Sequence, residues 1–380
     1  MFSNLKNQPA DKIMQIMAKY KADPRPNKID LGVGVYKNAE GVTPVMRAIK
    51  QAEHKLWEEQ ETKAYVGLVG DPAYADAMIK LVLGDSVPRE NIGAAATPGG
   101  TGAVRQAFEM IKMATPDARV FVSDPTWPNH LSILKHMHIE MVPYRYFDNE
   151  PRGVDFDAML SDLGQAGPGD VVLLHGCCHN PTGADLTKEQ WHKVLELAQQ
   201  REFLPFLDIA YQGFGDGIED DVYGLRLLAD NLPELIVAAS CSKNFGLYRE
   251  RVGLAAMITA NRNVRDAIQT QIQSIARGIY SMPPSYGGAL VDIILNSDEL
   301  KNEWLGEVTD MRERMQTLRR LLVSKLKEKG ASKDFEFINS QKGMFSYLCI
   351  SPEQVQQMRN DYSIYFVDSS RVNIAGISTS

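Results

Sequence analysis

Short apolar runs alternate with amphipathic helical patterns through the middle of the chain, and that alternation leaves little choice of fold. The runs are Arg119–Ser123, Val171–Gly176, Leu204–Ala210, Leu235–Ser240 and Leu254–Thr259, interleaved with helical patterns such as Thr101–Met113, Lys188–Gln200 and Asn261–Ser274. Parallel strands need crossovers long enough to hold a helix, so this order predicts an α/β chain built on a mainly parallel sheet. From Ser297 to Lys329 the rhythm changes to one long amphipathic pattern, stopped at Gly330. Short strand-like stretches follow at Phe335–Asn339, Phe345–Cys349 and Ser363–Val367. They are too few for an independent domain and are expected to pack with the N-terminal segment as a smaller lobe.

The 380 residues are 44% hydrophobic and 23% charged, the balance of a globular chain long enough for two domains. A net charge of -7 without a basic cluster argues against a nucleic-acid surface. Met1–Ala22 lacks the apolar core of a signal peptide, and no apolar run reaches membrane-spanning length. Cys177, Cys178, Cys241 and Cys349 make a poor disulfide framework, which points to a reducing, cytoplasmic protein.

Lys243 stands among small hydroxyls in Ala238–Gly253, at the carboxyl end of an apolar run, with Arg251 eight residues on. Most lysines are solvated surface charges. One held at a strand end can instead lose its proton through desolvation or a neighbouring cation, and the neutral amine makes Schiff bases. Gly99–Ala103 opens a helical pattern and either holds a phosphate on free amides or serves as a tight turn; it lacks the dinucleotide fingerprint. Asp208, inside an apolar run, needs a cation or a donor, either in a structural ion pair or on a heteroaromatic nitrogen. Trp127, between two prolines, either packs in a core or forms a shelf for a flat ligand. Arg371 makes either a surface salt bridge or a planar clamp for a carboxylate.

His175–Gly183 holds two histidines and two cysteines, which invites a metal reading. Adjacent cysteines at a strand end are expected to diverge, and the C-x₂-C spacing is absent, so no metal is predicted. Asn180-Pro181 reads better as a turn that aims the Asn180 amide into a crevice.

Taken together, Gly99–Ala103, Trp127–His130, His175–Gly183, Asp208–Tyr211, Ser240–Gly253 and Arg371–Gly376 closely resemble the class I aminotransferases of the aspartate and aromatic amino acid group. The resemblance covers nearly the whole chain. It implies the fold type I architecture of pyridoxal-phosphate enzymes, with a seven-stranded large-domain sheet and a smaller α+β lobe. The implied division is 1–44 as N-terminal arm and part of the small domain, 45–310 as the cofactor-binding domain, and 311–380 as the rest of the small domain. It also implies a homodimer with shared active sites.

By the same resemblance, Lys243 carries pyridoxal 5'-phosphate as a Schiff base, Asp208 pairs with its ring nitrogen, and Asn180 and Tyr211 bond its phenolic oxygen. Trp127 stacks on the ring. Gly100, Thr101, Ser240, Ser242 and Arg251 hold the phosphate, joined by Tyr65 from the neighbouring subunit. Gly34, Trp127, Asn180 and Arg371 contact substrate, and a partner subunit's copy of Arg277 takes the distal carboxylate of a dicarboxylic amino acid. The implied chemistry is ping-pong transamination with 2-oxoglutarate as acceptor.

Val35, Lys37, Thr43 and Thr101 match both aspartate and aromatic members of the group. Ala64 and Met282 depart from the aspartate pattern, replacing two asparagines, and an apolar rim there favours a pocket that also takes rings. The expected activity is therefore dual, on aromatic amino acids and aspartate. The alternatives are a strict aspartate aminotransferase, a β-lyase on the same cofactor, which Arg277 disfavours, and a catalytically silent binding module. The resemblance also leads one to expect a final helix beyond the Arg371 motif. The chain stops at Ser380, so apolar surface near Ile374 and Ile377 is expected to be less covered than in relatives.

Overall fold

The computed structural model describes residues 2–7 and 11–378; Ser380, on which the expectation about a final helix turns, lies outside them. Seven strands form the main sheet: β1 (Ile92–Pro98), β2 (Arg119–Asp124), β3 (Glu140–Arg145), β4 (Val171–His175), β5 (Leu204–Ile209), β6 (Leu235–Ser240) and β7 (Val252–Ile258). Their order across the sheet is β1-β7-β6-β5-β4-β2-β3. All pairings are parallel except those of β7, which runs against both β1 and β6.

Five of these strands lie on the apolar runs seen in the sequence. The alanine-rich β1 and the partly exposed edge strand β3 were missed because neither presents a β-branched apolar block. Along each central strand, residues alternate between two cores. Leu207, Ile209, Val237 and Ala239 face one layer, and Phe206, Ile236 and Ala238 face the other. Burying each large side chain contributes about 1.5–3 kcal/mol, so slipping a strand by one residue would exchange both layers at once.

The long helix α1 (Asp298–Glu328) starts at the Ser297 cap and ends just before Gly330, whose φ is +70°. At 1.5 Å per residue it is about 46 Å long. Its stripe of Trp304, Glu307, Val308, Met311, Met315 and Leu318 is buried at the helical period. The N- and C-terminal segments meet where Ile29–Asp30 pairs in parallel with Ile364–Tyr365; within the C-terminal part, Phe345–Tyr347 pairs antiparallel with Arg371–Asn373.

One predicted strand is overturned. Within Phe335–Asn339 the chain forms the start of a short helix, Phe337–Ser340. Asp334 Oδ1 accepts the Glu336 N–H at 2.9 Å, a local turn that starts helical winding and competes with the extended form. Ile374 is fully buried in a third core, while Ile377 sits at the rim of an apolar groove with Leu322, Leu326, Leu348 and Ile350.

Candidate active site

The carboxyl ends of β1, β2, β4, β5 and β6 all open on one edge of the sheet, where open α/β sheets hold ligands. Because β7 runs the other way, the residue just before it, Arg251, arrives at that same edge. Ten residues singled out in the sequence therefore converge on one cleft: Gly100 and Thr101 after β1, Trp127 after β2, Asn180 after β4, Asp208 and Tyr211 on and after β5, Ser240, Ser242 and Lys243 from β6, and Arg251.

At one end of the cleft, a helix starts at Gly99 (Gly99–Ala114) without a side-chain cap; the Gly99 N–H donates to Arg251 O at 2.9 Å, which leaves the next N–H groups, from Gly100 on, for an anion. Gly99 has a φ of +71°, and a Cβ there would lie 2.5 Å from Arg251 Nη2. Only glycine lets the guanidinium settle against the helix start. Arg251 Nη1 donates to Tyr248 O at 3.1 Å and to Ser242 Oγ at 3.5 Å. Among the described residues no carboxylate pairs with it, so the cradle is cationic and rich in donors.

At the other end Asp208 is buried in β5. Burial opposes its charge, yet the hydrogen bond from His130 and the fields of His130, His175 and Lys243 hold its carboxyl below the usual range. His130 Nε2 lies 2.9 Å from Asp208 Oδ2 and His130 Nδ1 lies 3.0 Å from Thr126 Oγ1, which in turn lies 3.1 Å from His175 Nε2. A carboxylate only accepts, so His130 Nε2 carries the hydrogen. The sequence reading missed His130, Thr126 and His175 in this role. The usable signal was the need of a buried Asp208 for a donor, but only the pairing of β4 beside β5, and β2 beside β4, brings these distant residues behind it.

Lys243 Nζ lies 4.9 Å from the centre of the Tyr211 ring. Desolvation, helped by Arg251 and opposed by Asp208, brings its pKa down to about 8. Burial pushes the Tyr211 hydroxyl up, against the pull of Arg371, so it stays a neutral donor. Arg371 is buried, with Nη2 donating to Gly32 O at 2.8 Å and Nη1 to Asn180 Oδ1 at 3.3 Å. Its Nε has no partner, and among the described residues no carboxylate pairs with it. The guanidinium rests over the Phe345 ring at 4.2 Å, and Gly34 packs against the tip of that ring, where a Cβ would lie 3.1 Å from Cζ.

The structure does not bring Tyr65 and Arg277 of this chain to the cleft. Tyr65 is 93% exposed and Arg277, also exposed, donates to Ser281 Oγ at 2.7 Å. Their segments meet at Met282, which follows Ser281 and whose Sδ accepts the Val66 N–H at 3.1 Å.

The sequence-based reason for rejecting a metal needs correction. With Cys178 at φ +50°, the thiols of Cys177 and Cys178 do not diverge; both lie within 4.8 Å of each other and of an Asp221 oxygen. The Asp221 carboxylate already accepts N–H groups from Gly213, Gly215 and Asp216. Contact with Cys178 favours the Cys177 thiolate, but burial and nearby carboxylates push that thiol up to about 11. Protonated thiols are poor ligands. His175 and His179 are likewise held by Thr126, Ser123 and Thr182.

A cleft with a half-buried lysine, a charged aspartate at one end and a cationic amide cradle at the other has a counterpart in known proteins. A family model for class I and II aminotransferases matches residues 26–380. The chain belongs to the class I and II aminotransferases. Among individual members, it is 49% identical to the aromatic-amino-acid aminotransferase of Paracoccus denitrificans, over all of this chain and 96% of that one. It is 45% identical to the aspartate aminotransferase of Haemophilus influenzae, with the same coverage. The aromatic-amino-acid aminotransferase from Burkholderia pseudomallei, solved covalently bound to pyridoxal phosphate, superposes with a TM-score of 0.97 at 40% identity, covering all of this chain and 96% of that one. For an aminotransferase, the uncapped helix start, the glycine contact with Arg251 and the Asp208–His130 pair fit a planar, phosphorylated, nitrogen-containing ring, with Lys243 beside it.

Proposed function

We propose that this aminotransferase moves the amino group of aromatic amino acids and of aspartate to 2-oxoglutarate, using pyridoxal 5'-phosphate in a ping-pong cycle. The observation that carries the substrate reading is Arg371. A buried guanidinium with an orphaned Nε and no carboxylate is costly, and an α-carboxylate laid against it supplies the missing charge and hydrogen bonds.

Pyridoxal phosphate supplies an aldehyde and an electron-accepting ring. Around it Gly100, Thr101, Ser240, Ser242 and Arg251 bind the phosphate, Trp127 covers the ring face, and Asn180 and Tyr211 donate to the ring oxygen. Asp208, kept charged by His130, holds a proton on the ring nitrogen. Lys243, with a pKa of about 8, has a useful fraction of free amine near neutral pH; it holds the cofactor and then moves the proton taken from the substrate's Cα. Residues 45–310 form the cofactor-binding domain in this reading, while 1–44 and 311–380 form the lobe that brings Arg371.

The exposure of Tyr65 and Arg277 supports a homodimer in which each reaches the neighbour's cleft. The contact of Met282 with the Tyr65–Val66 segment supports an apolar rim delivered with them, hence tolerance of rings beside dicarboxylates. Four free cysteines, and no helix among the described residues long and apolar enough to cross a membrane, are in keeping with a cytoplasmic setting.

The test is kcat/KM for phenylalanine and for aspartate, each with 2-oxoglutarate. Turnover of both is expected. Negligible turnover of phenylalanine would leave a strict aspartate enzyme.

A further inference from the structure

The turn that carries Lys243 is braced from outside the cleft. It closes through the Gly246 N–H on Lys243 O at 3.0 Å, with Gly246 at a φ of +65°. Behind it lies Trp304, near the start of α1 and fully buried. The Trp304 indole N–H donates to Asn244 O at 2.7 Å. Its ring stacks on Phe245, with centroids 4.5 Å apart and planes 8° from parallel. One side chain thus holds both residues that follow Lys243.

The brace is itself anchored. One turn along α1, Glu307 accepts the N–H groups of Arg47 at 2.7 Å and Ala48 at 3.0 Å, fixing α1 to the start of the helix Arg47–Glu59. Met46, the residue before that helix, lies in van der Waals range of a Cβ placed on Gly246. The turn is therefore touched by both Trp304 and Met46, two groups on elements that Glu307 ties together.

The amine's chemistry depends on where the turn holds it: over Tyr211, in one cleft with Asp208 and Arg251, where desolvation lowers its pKa. A loosened turn would let the amine move and water follow. Without the indole donor, the buried Asn244 carbonyl would also lack its partner, and the turn would have to shift to find water.

We propose that Trp304 is a positioning residue for Lys243, holding the lysine turn through the indole bond to Asn244 and the stack on Phe245. This rests on the reading of Lys243 as the residue that bears the cofactor.

The test uses the holoenzyme. Trp304→Phe keeps a ring on Phe245 and deletes the N–H donor. The pH midpoint of the bound cofactor's visible absorption is expected to move up by roughly half a unit or more, because hydration relieves the desolvation that favours the uncharged nitrogen. kcat should fall about tenfold or more, as small misplacements of a reacting group do. KM should stay within about twofold, because Arg371 is held by Gly32 and Asn180, away from this turn. A midpoint at the wild-type value overturns the proposal. If Trp304→Phe does not fold, Phe245→Leu, which keeps the indole bond and removes the stack, carries the test: an upward shift supports the proposal and an unmoved midpoint overturns it. Borohydride reduction of the wild type with peptide mapping separates the two readings. A label on Lys243 with an unmoved midpoint sinks the role of Trp304 alone, whereas a label elsewhere sinks the reading of Lys243 and the proposal with it.

Discussion

His130 Nε2 donates to Asp208 Oδ2 across 2.9 Å, and both side chains are buried. The pair keeps a carboxylate charged where burial alone would neutralise it. Because the folded carboxyl lies below its unfolded range, this charge stabilises the fold above the unfolded value and is lost as pH falls through the folded one.

Asp208→Asn keeps an acceptor for His130 and removes the charge. kcat is expected to fall by about 10²–10³, the usual loss when one preorganised electrostatic partner is deleted. His130→Leu should move the acid limb of the kcat profile to higher pH, since Asp208 would lose the donor that favours its charge. Rate profiles of the two variants between mildly acid and neutral pH check both; an acid limb unchanged in His130→Leu would exclude the donor role.

Lys243 gives a pH signature in the cofactor-free protein. Its folded pKa of about 8 lies below the ordinary lysine value of 10.5, so between the two the unfolded chain binds more protons and stability rises with pH. Below about pH 8 the folded state carries the full cost of the confined charge, at most about 3 kcal/mol. Lys243→Met should therefore unfold at higher temperature than wild type at pH 7, with the gap closing as pH approaches 10.5. Calorimetry across that range reads it, and a gap independent of pH would mean that the lysine titrates normally.

Gly253 sits in β7 between Ser240 and Thr97, where a Cβ would lie 2.5 Å from the Gly99 carbonyl carbon. Backbone cannot yield as a flexible side chain does. Gly253→Ala should push the Gly99–Gly100 segment off its line, weaken phosphate binding about tenfold or more and destabilise the protein by about 1–3 kcal/mol. Cofactor titration of the apoprotein and thermal unfolding measure the two effects; wild-type values in both would show that the helix start tolerates displacement.

The sequence was enough to name most of the cleft, because each residue there departs from what its local element wants. A lysine and two hydroxyls at the end of Leu235–Ser240, an aspartate inside Leu204–Ile209 and glycines opening Gly99–Ala114 all stand out against apolar periodicity. The long helix from Ser297 was legible for the converse reason, that its pattern is uninterrupted. The strands Ile92–Pro98 and Glu140–Arg145 were not, since alanine and partly exposed edge residues carry little strand signal.

What local pattern determined is which residues are chemically out of place, and hence the kind of chemistry to expect. Tertiary structure alone decided what stands behind them. His130 behind Asp208, Trp304 behind the Lys243 turn and Phe345 under Arg371 come from segments far away in the chain. The physical reason is that a buried donor or ring satisfies its partner through space, at a register set by sheet order and helix packing, and leaves no periodic trace in its own neighbourhood. The antiparallel β7 is the clearest case: reversing one strand brings Arg251 to the edge where the six other strands end, and turns a set of separate oddities into one cleft.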